Sequence, residues 1–512
     1  MPMPMPMSAS MSMSTSMSTR PPRFGTPRRR PRWRSIGTLL AVLTVLALLG
    51  GTPAAAVPAA DGFGPPPPYN PYAGPEGTAT MHGDTGSSDT TPLPGPGAGS
   101  LASTRIALAS ACPTVLVGSD GFPIALCTPI FGQVPTVHLL DPGNGSSLAT
   151  LELTKGSLLG GVYAYVDHED RLVVVDGSRS LLRVGHHQGS DGNWRLSVDR
   201  RLPLSSVVPA DDAVTGLAPD WQGRVWFATG GGVVGTADDT TGKVRALTLP
   251  AGERVANSIS TAPQGTAVTT THATYLLTAD DDGAPRIGWR QPYDRGSARK
   301  PGLLSWGSGS TPTFFGPGSG TEYVALVDNA DTAAHLLVHR TSDGAQVCRV
   351  PVLRAAGGPG SENSPVAIGR SVFVAGTYGY PYSAVPEGAG DSVPASADFA
   401  GGLTRVDVGA DGSGCSTVWD NALRSAAVPK LSTGDGLLHT VLRDPVIPGT
   451  KGTSLLDPYR YAQIDPATGR VVRSRSVGVG ALYDTLQMAG TITPDGTLLQ
   501  GTVTGILRIT AQ

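Results

Sequence analysis

Residues 461–477 read YAQIDPATGRVVRSRSV, and this stretch decides the fold. Apolar and polar residues alternate into Asp465-Pro466-Ala467-Thr468-Gly469, and the alternation resumes beyond it. A period of two places side chains on opposite faces of a half-buried strand, and Pro and Gly supply the reversal between two such strands. The stretch is a β-hairpin. Related hairpins recur at 140–153 (LDPGNGSSLATLEL), 236–249 (TADDTTGKVRALTL), 338–350 (VHRTSDGAQVCRV) and 405–419 (RVDVGADGSGCSTVW). A hairpin that returns along the chain is the mark of a repeat protein.

Working outward, the hairpins sit in units spaced by roughly 40–60 residues, the spacing of propeller blades rather than of helical repeats. Residues 162–202 give four strands (VYAYV, RLVVVDG, SLLRVG, WRLSVDRRL), and 214–249, 255–289, 311–350, 366–419 and 430–477 repeat the scheme. A polar turn recurs between the first and second strands, as at Pro219-Asp220-Trp221-Gln222-Gly223 and Pro494-Asp495-Gly496. No stretch sustains the 3.6-residue apolar period of a helix. The expected class is all-β, a propeller over residues 105–512. Residues 486–510 supply only three strands before the sequence ends, so the fourth is expected from Arg105–Ala109 (RIALA) as the outer strand that closes the ring. With 115–153 as the first complete unit the count is about eight blades; seven remains open if 115–126 is an added segment.

The rest of the chain bounds the setting. There are 68 Gly and 45 Pro, 15% charged residues and a net charge of -2, so composition offers no electrostatic case for nucleic acid or an anionic membrane. Arg28-Arg29-Arg30-Pro31-Arg32-Trp33-Arg34 precedes an apolar run at 36–49 and then Ala54-Ala55-Ala56. This is the order of a secretory signal peptide, and the run falls short of the ~20 apolar residues that span a bilayer. Region 1–60 is read as that signal, with uncleaved anchoring the alternative. The mature protein is expected outside the cell or at the cell wall, without membrane insertion, and monomeric. Residues 61–104 are Pro, Gly, Ser and Thr with little apolar content (GPPPPYNPYAGPEG), which reads as a disordered linker. In an oxidising compartment four cysteines allow three pairings. The expected bridges are Cys112–Cys127, close in sequence, and Cys348–Cys415, at matching places on successive hairpins.

With these hairpins in view, the chain resembles the quinoprotein-like superfamily of secreted bacterial propellers, those with repeats of the pyrroloquinoline-quinone type. The resemblance rests on the Asp-Pro-Ala-Thr-Gly hairpin and its relatives Thr240-Thr241-Gly242 and Ser342-Asp343-Gly344, and it covers essentially everything after Arg105. Repeats of that type carry a Trp after the Gly to dock neighbouring blades. Trp289 and Trp419 stand at comparable places here, while other units have Leu, Val or Ser. The vicinal cysteine pair of the quinone-dependent alcohol dehydrogenases is absent from the sequence. The resemblance implies the fold, and as an alternative function it implies an oxidoreductase of alcohols or sugars using pyrroloquinoline quinone with calcium.

Sites in such folds gather on the connections between blades, loops held by a rigid scaffold. The long connection 291–310 carries Arg295, Arg299, Lys300 and Trp306, and the connection 354–363 brings Glu362 and Asn363 to an inner strand. Guanidinium groups, an acid and an aromatic suit an anionic or polar small ligand, against the plainer account of solvated loop side chains. Tyr378 and Tyr380, in TYGYPY, offer a stacking surface or else fill the gap between blades. Asp167-His168-Glu169-Asp170 falls where other units have a tight polar turn, and Asp280-Asp281-Asp282-Gly283 lacks the spaced oxygens of a calcium loop. Asp328-Asn329-Ala330-Asp331 is the better calcium candidate, though acidic turns without a metal are commoner, and no metal is assigned to it, to the others or to His186-His187. No G-x-S-x-G elbow is present. The expected function is binding of a small polar ligand or a cell-envelope component on one face, with no cofactor.

Overall fold

The computed structural model describes residues 62–156, 163–257 and 259–512; the signal region 1–60 lies outside them. The described chain is an eight-bladed β-propeller of four-stranded antiparallel sheets. Blade 1 runs from Ser110–Val117 to Ser147–Glu152, blade 2 from Tyr165–Val166 to Trp194–Pro203, and blade 3 from Val214–Pro219 to Lys243–Thr248. Blades 4 to 7 follow, opening on the inner strands Ser260–Ala262, Thr313–Phe315, Val366–Ile368 and Lys430–Ser432. Blade 8 takes three strands from the C-terminal end, and its outer strand is Leu101–Ala107, paired antiparallel to Gly505–Ala511 from Leu101↔Ala511 to Ala107↔Gly505. The closing strand expected from RIALA is thus present, four residues earlier. The count is eight.

Alternation fixes the packing. Second and third strands such as Val225–Thr229 are buried along their whole length, while outer strands such as Lys243–Thr248 alternate between exposed and half-buried. Between blades the hydrophobic faces meet in one cluster per interface, as where Leu126, Val137 and Leu139 of blade 1 pack on Val166, Leu172 and Val184 of blade 2.

The opening hairpin is the outer pair of blade 7. Asp465 clamps its turn, accepting hydrogen bonds from the Ala467 amide (2.8 Å) and the Thr468 hydroxyl (2.8 Å). Gly469 has φ +69, and a Cβ there would sit 2.7 Å from the Trp419 ring of blade 6, whose indole N–H donates to the Pro466 carbonyl (2.9 Å). Trp289 docks on Gly344 of the next blade in the same way. Glycine is required twice, by the backbone and by the ring that lies on it. Both disulfides form as paired in the sequence reading: Cys112–Cys127 joins the two inner strands of blade 1, and Cys348–Cys415 joins the outer strands of blades 5 and 6. They fit an oxidising, extracellular-like environment. Among the described residues no helix is long and apolar enough to cross a membrane.

Residues 62–104 correct the sequence reading. Far from a solvated linker, they are ordered, with most of 77–92 buried. Strand order defines two faces: inner-to-second and third-to-outer turns lie on one, here the bottom, and second-to-third turns with the blade-to-blade connections lie on the other, the top. The segment crosses the bottom face, where Gly64 meets Gly369 and Tyr72 meets His168. It then enters the channel. Carbonyls of Thr78 and Ala79 accept from Val117 of blade 1 and Val166 of blade 2; those of Thr85, Gly86, Ser88 and Asp89 accept from Thr261, Phe314, Ala367 and Leu431 of blades 4, 5, 6 and 7. Thr90–Thr91 adds a short parallel strand to Lys430–Ser432. An inner strand is an edge, and its inward amides need partners. The segment supplies them blade by blade. Its poverty in large side chains, which argued for disorder, is what lets it fit a narrow channel.

Candidate functional site at the top of the channel

The plug carries its own polar core. Lys430, fully buried, donates to the Met81 carbonyl (3.0 Å) and to Asp89 (3.2 Å), and Asp89 also pairs with His82 Nδ1 (2.9 Å). His82 Nε2 is buried without a partner. Asp84, held by Ser88, borders a void of about 20 Å³ that His82, Ser87 and Tyr163 also line. That is room for one water. Burial pushes the Asp84 carboxyl up to about 6. The bottom end of the channel is closed.

The top end is built from connections. Glu362 sits just before the inner strand of blade 6 and is buried. Its Oε2 accepts from the Leu304 amide (2.9 Å) and its Oε1 from Asn257 Nδ2 (2.9 Å), while Asn257 Oδ1 accepts from the Tyr163 hydroxyl (3.1 Å). Two hydrogen bonds and the nearby Arg299 favour the carboxylate, but desolvation is larger and raises the group to about 7. Beside it Asn363 Nδ2 donates to Gln487 Oε1 (3.0 Å). Leu486 and Gln487 hold left-handed backbones (φ 57 and 59), and Gln487 Nε2 donates to the Ser425 carbonyl (3.0 Å). Tyr382 is half-buried; its hydroxyl has no hydrogen bond among the described residues and lies in the fields of Glu362, Asp484 and Tyr163. Four connections and a loop of blade 6 therefore converge: Tyr163, Asn257, Glu362 with Asn363, Gln487, and Tyr382.

Residues 376–402, the long insertion between the second and third strands of blade 6, run over this cluster. Gly379 donates to the Pro301 carbonyl, Val393 to the Arg299 carbonyl (2.8 Å), and Arg299 Nε to the Gly390 carbonyl (2.7 Å). One edge meets the blade 7 loop through Thr453 and Asp398 (2.9 Å), and Gly388 lies beside Arg254 of the connection between blades 3 and 4. The insertion is a roof with few buried side chains between 383 and 398.

The sequence-derived candidates separate. Glu362 and Asn363 stand at the centre, with Arg299 near Glu362 and donating from Nε to Gly390 and from Nη1 to Leu303. Arg295 and Trp306 stack on each other (4.0 Å) and on the partly exposed top surface, where Arg295 also bonds His272. Tyr380 fills core: its hydroxyl donates to Asp484 and its ring meets Phe399 edge-on at 5.1 Å. Tyr378 packs half-buried against Gly358 and Gly360. Lys300 ties the two connections together through the Pro359 carbonyl and also bonds Ala330 in a loop of blade 5, and burial lowers it to about 8. Asn257, Tyr163 and Gln487 escaped the sequence reading. Their signal is weak: a polar residue just before an inner strand, in connections otherwise short. The acidic runs prove to be turn clamps, as where Asp167 accepts from the Glu169 and Arg171 amides and from Arg183.

Comparison with known proteins adds the fold and nothing narrower. No protein-family model and no curated protein matches the chain. Among solved structures it is similar to the quinohemoprotein alcohol dehydrogenase from Comamonas testosteroni, with 11% identity over 84% of this chain and 80% of that one and a TM-score of 0.50. The likeness is one of fold. The Dos1 propeller also matches, with 10% identity over 80% of this chain and 93% of that one and a TM-score of 0.44. The comparison shows a propeller fold and no more, and function must be argued from the site.

Proposed function

We propose that this is a secreted binding protein whose site is the top of the channel, taking a small polar molecule, or a polar group of a cell-envelope component, against Glu362 and Asn363. One observation carries the reading: the bottom of the channel is closed by the protein's own residues 62–100, whereas five separate segments bring amide, hydroxyl and carboxyl groups together at the top. A buried acid near 7 beside amide side chains pairs with hydroxyl or ammonium donors, so polyols, amino sugars and small amines are the ligands of choice. Strain at Leu486 and Gln487 supports the same place.

A quinone cofactor fits poorly. Within the channel the plug leaves a void the size of one water, neither disulfide joins adjacent residues in the chain, and Trp306 is stacked with Arg295. Adding pyrroloquinoline quinone with calcium is expected to give no bound chromophore.

The test is a melting-temperature screen of polyols, amino sugars and small amines at neutral pH. A hit is expected to stabilise the wild-type protein and Arg295→Ala but not Glu362→Gln or Asn363→Ala. A screen without hits, or hits indifferent to both substitutions, removes the site.

A further inference from the structure

Among the described residues, half of the exposed large apolar side chains gather at the top ends of blades 7, 8 and 1. Phe131, Ile447, Leu455, Leu456, Val479 and Leu482 there are each between 50 and 88% exposed, while Tyr69, Val393 and Val472, as exposed, stand singly elsewhere. They belong to the blade 7 loop 444–457, the end of its outer strand at Val479 with the following connection 480–490, and the blade 1 loop 130–135. Backbone contacts make these loops continuous. The Gly480 amide donates to Asp457 (3.0 Å), the Thr504 hydroxyl to the Leu482 carbonyl (3.0 Å), the Leu108 amide to Thr504 (3.1 Å), and the Ile130 amide to Ala109 (3.1 Å). An apolar arc of this extent on a folded surface marks contact with something apolar.

Charge distinguishes the occupants. Arg105 bonds the Thr504 hydroxyl (2.9 Å), Lys155 reaches the carbonyl of Gly132 beside Phe131 (3.4 Å), and Lys451 bonds the Ala356 carbonyl (2.8 Å). Among the described residues these three bond only uncharged oxygens. The acids of the arc are committed: Asp444 to Arg460, and Asp457 and Asp484 to Arg443. Glu152 is the exposed exception, on the outer strand of blade 1. The arc is thus apolar tips with a cationic border, on a chain whose net charge is -2. The tips come from three linked segments and line no well-formed cavity among the described residues, which suits a fluid interface better than a shaped protein groove.

We propose that this arc docks the protein on an anionic lipid surface, its apolar tips entering the headgroup boundary and Arg105, Lys155 and Lys451 meeting the headgroup charge. Docking is peripheral and reversible, and it turns the mouth of the channel towards the bilayer.

The experiment is cosedimentation of the protein with vesicles of phosphatidylcholine alone and of phosphatidylcholine mixed with phosphatidylglycerol, at low and high salt. Binding is expected on the anionic vesicles, weakened by salt, and reduced by about tenfold or more in Leu455→Ser/Leu456→Ser. Lys155→Gln/Lys451→Gln is expected to lose binding at low salt while leaving the melting temperature unchanged. All these side chains are exposed, so circular dichroism of each variant checks that folding is intact. Absence of binding to both vesicle types overturns the proposal, as does binding indifferent to both double variants. Concentration-dependent self-association that Leu455→Ser/Leu456→Ser abolishes, without vesicle binding, assigns the arc to a second copy of the chain and equally overturns it.

Discussion

The two ends of the channel are made by opposite means. At the bottom, a run of small residues hydrogen-bonds through its main chain to the inner strands of six blades and locks with a buried Lys430–Asp89–His82 cluster. At the top, side chains rather than main chain converge, and the acid at their centre has no cation directly bound. The first end is a closure made mainly by main chain and fixed by one buried ionic cluster. The second is specific to the side chains it holds. Stability is therefore expected to reside in the plug and chemistry at the mouth, a division that experiment can break.

The largest effect is expected at the plug. Lys430→Met leaves Asp89 buried with one partner fewer, and stranding a buried charge costs about 3–5 kcal/mol. Urea unfolding is expected to show that loss. A change under about 1 kcal/mol would mean the cluster does not hold the segment, and the contrast between the ends would fall.

Next comes the pH dependence at the mouth. Burial raises Glu362 from an ordinary 4.5 to about 7, so the folded protein keeps a proton that the unfolded chain has released. Its contribution to stability is fully present below pH 4.5 and is lost as pH rises through 7. Asp84 acts in the same direction between 3.8 and about 6. Glu362→Gln cannot ionise, and the fall in stability from pH 5 to 8 is expected to shrink by roughly 2–3 kcal/mol. If denaturation curves for the two proteins stay parallel across that range, Glu362 is not the buried acid described.

The smallest effect belongs to the roof. Replacing residues 385–396 by a short Gly-Ser link removes few buried side chains and is expected to cost less than about 1 kcal/mol while exposing Tyr382 and Glu362. Carbodiimide labelling of Glu362, followed by mass spectrometry, is expected to quicken. Unchanged labelling would mean that the insertion does not cover the site.

Blade number, ring closure and both disulfides were legible from the residues because each depends on local pattern. Alternation marks strands, Asp465 and Gly469 mark a turn, and the three-strand remainder at the C-terminal end demands a fourth strand from the other end. Residues 62–100 were misread because composition measures what a segment can bury by itself. This one gains its order from edges already set by the ring. The site was legible in part. Glu362 and Asn363 stood out as polar residues leading into an apolar strand, but Tyr380 looked as suitable and lies in the core on Asp484 and Phe399. Arg295 and Trp306, the other expected ligand groups, stack on each other at 4.0 Å rather than bonding Glu362.

By itself, then, the sequence determined the blades, since a hairpin is specified by the residues within it. Only the tertiary structure decided which end of the channel is shut and which side chains share the other. Tyr163, Asn257, Glu362 and Gln487 are more than 300 residues apart from first to last, and no local preference brings them together. They meet because the ring of eight blades places the start of every inner strand around one axis.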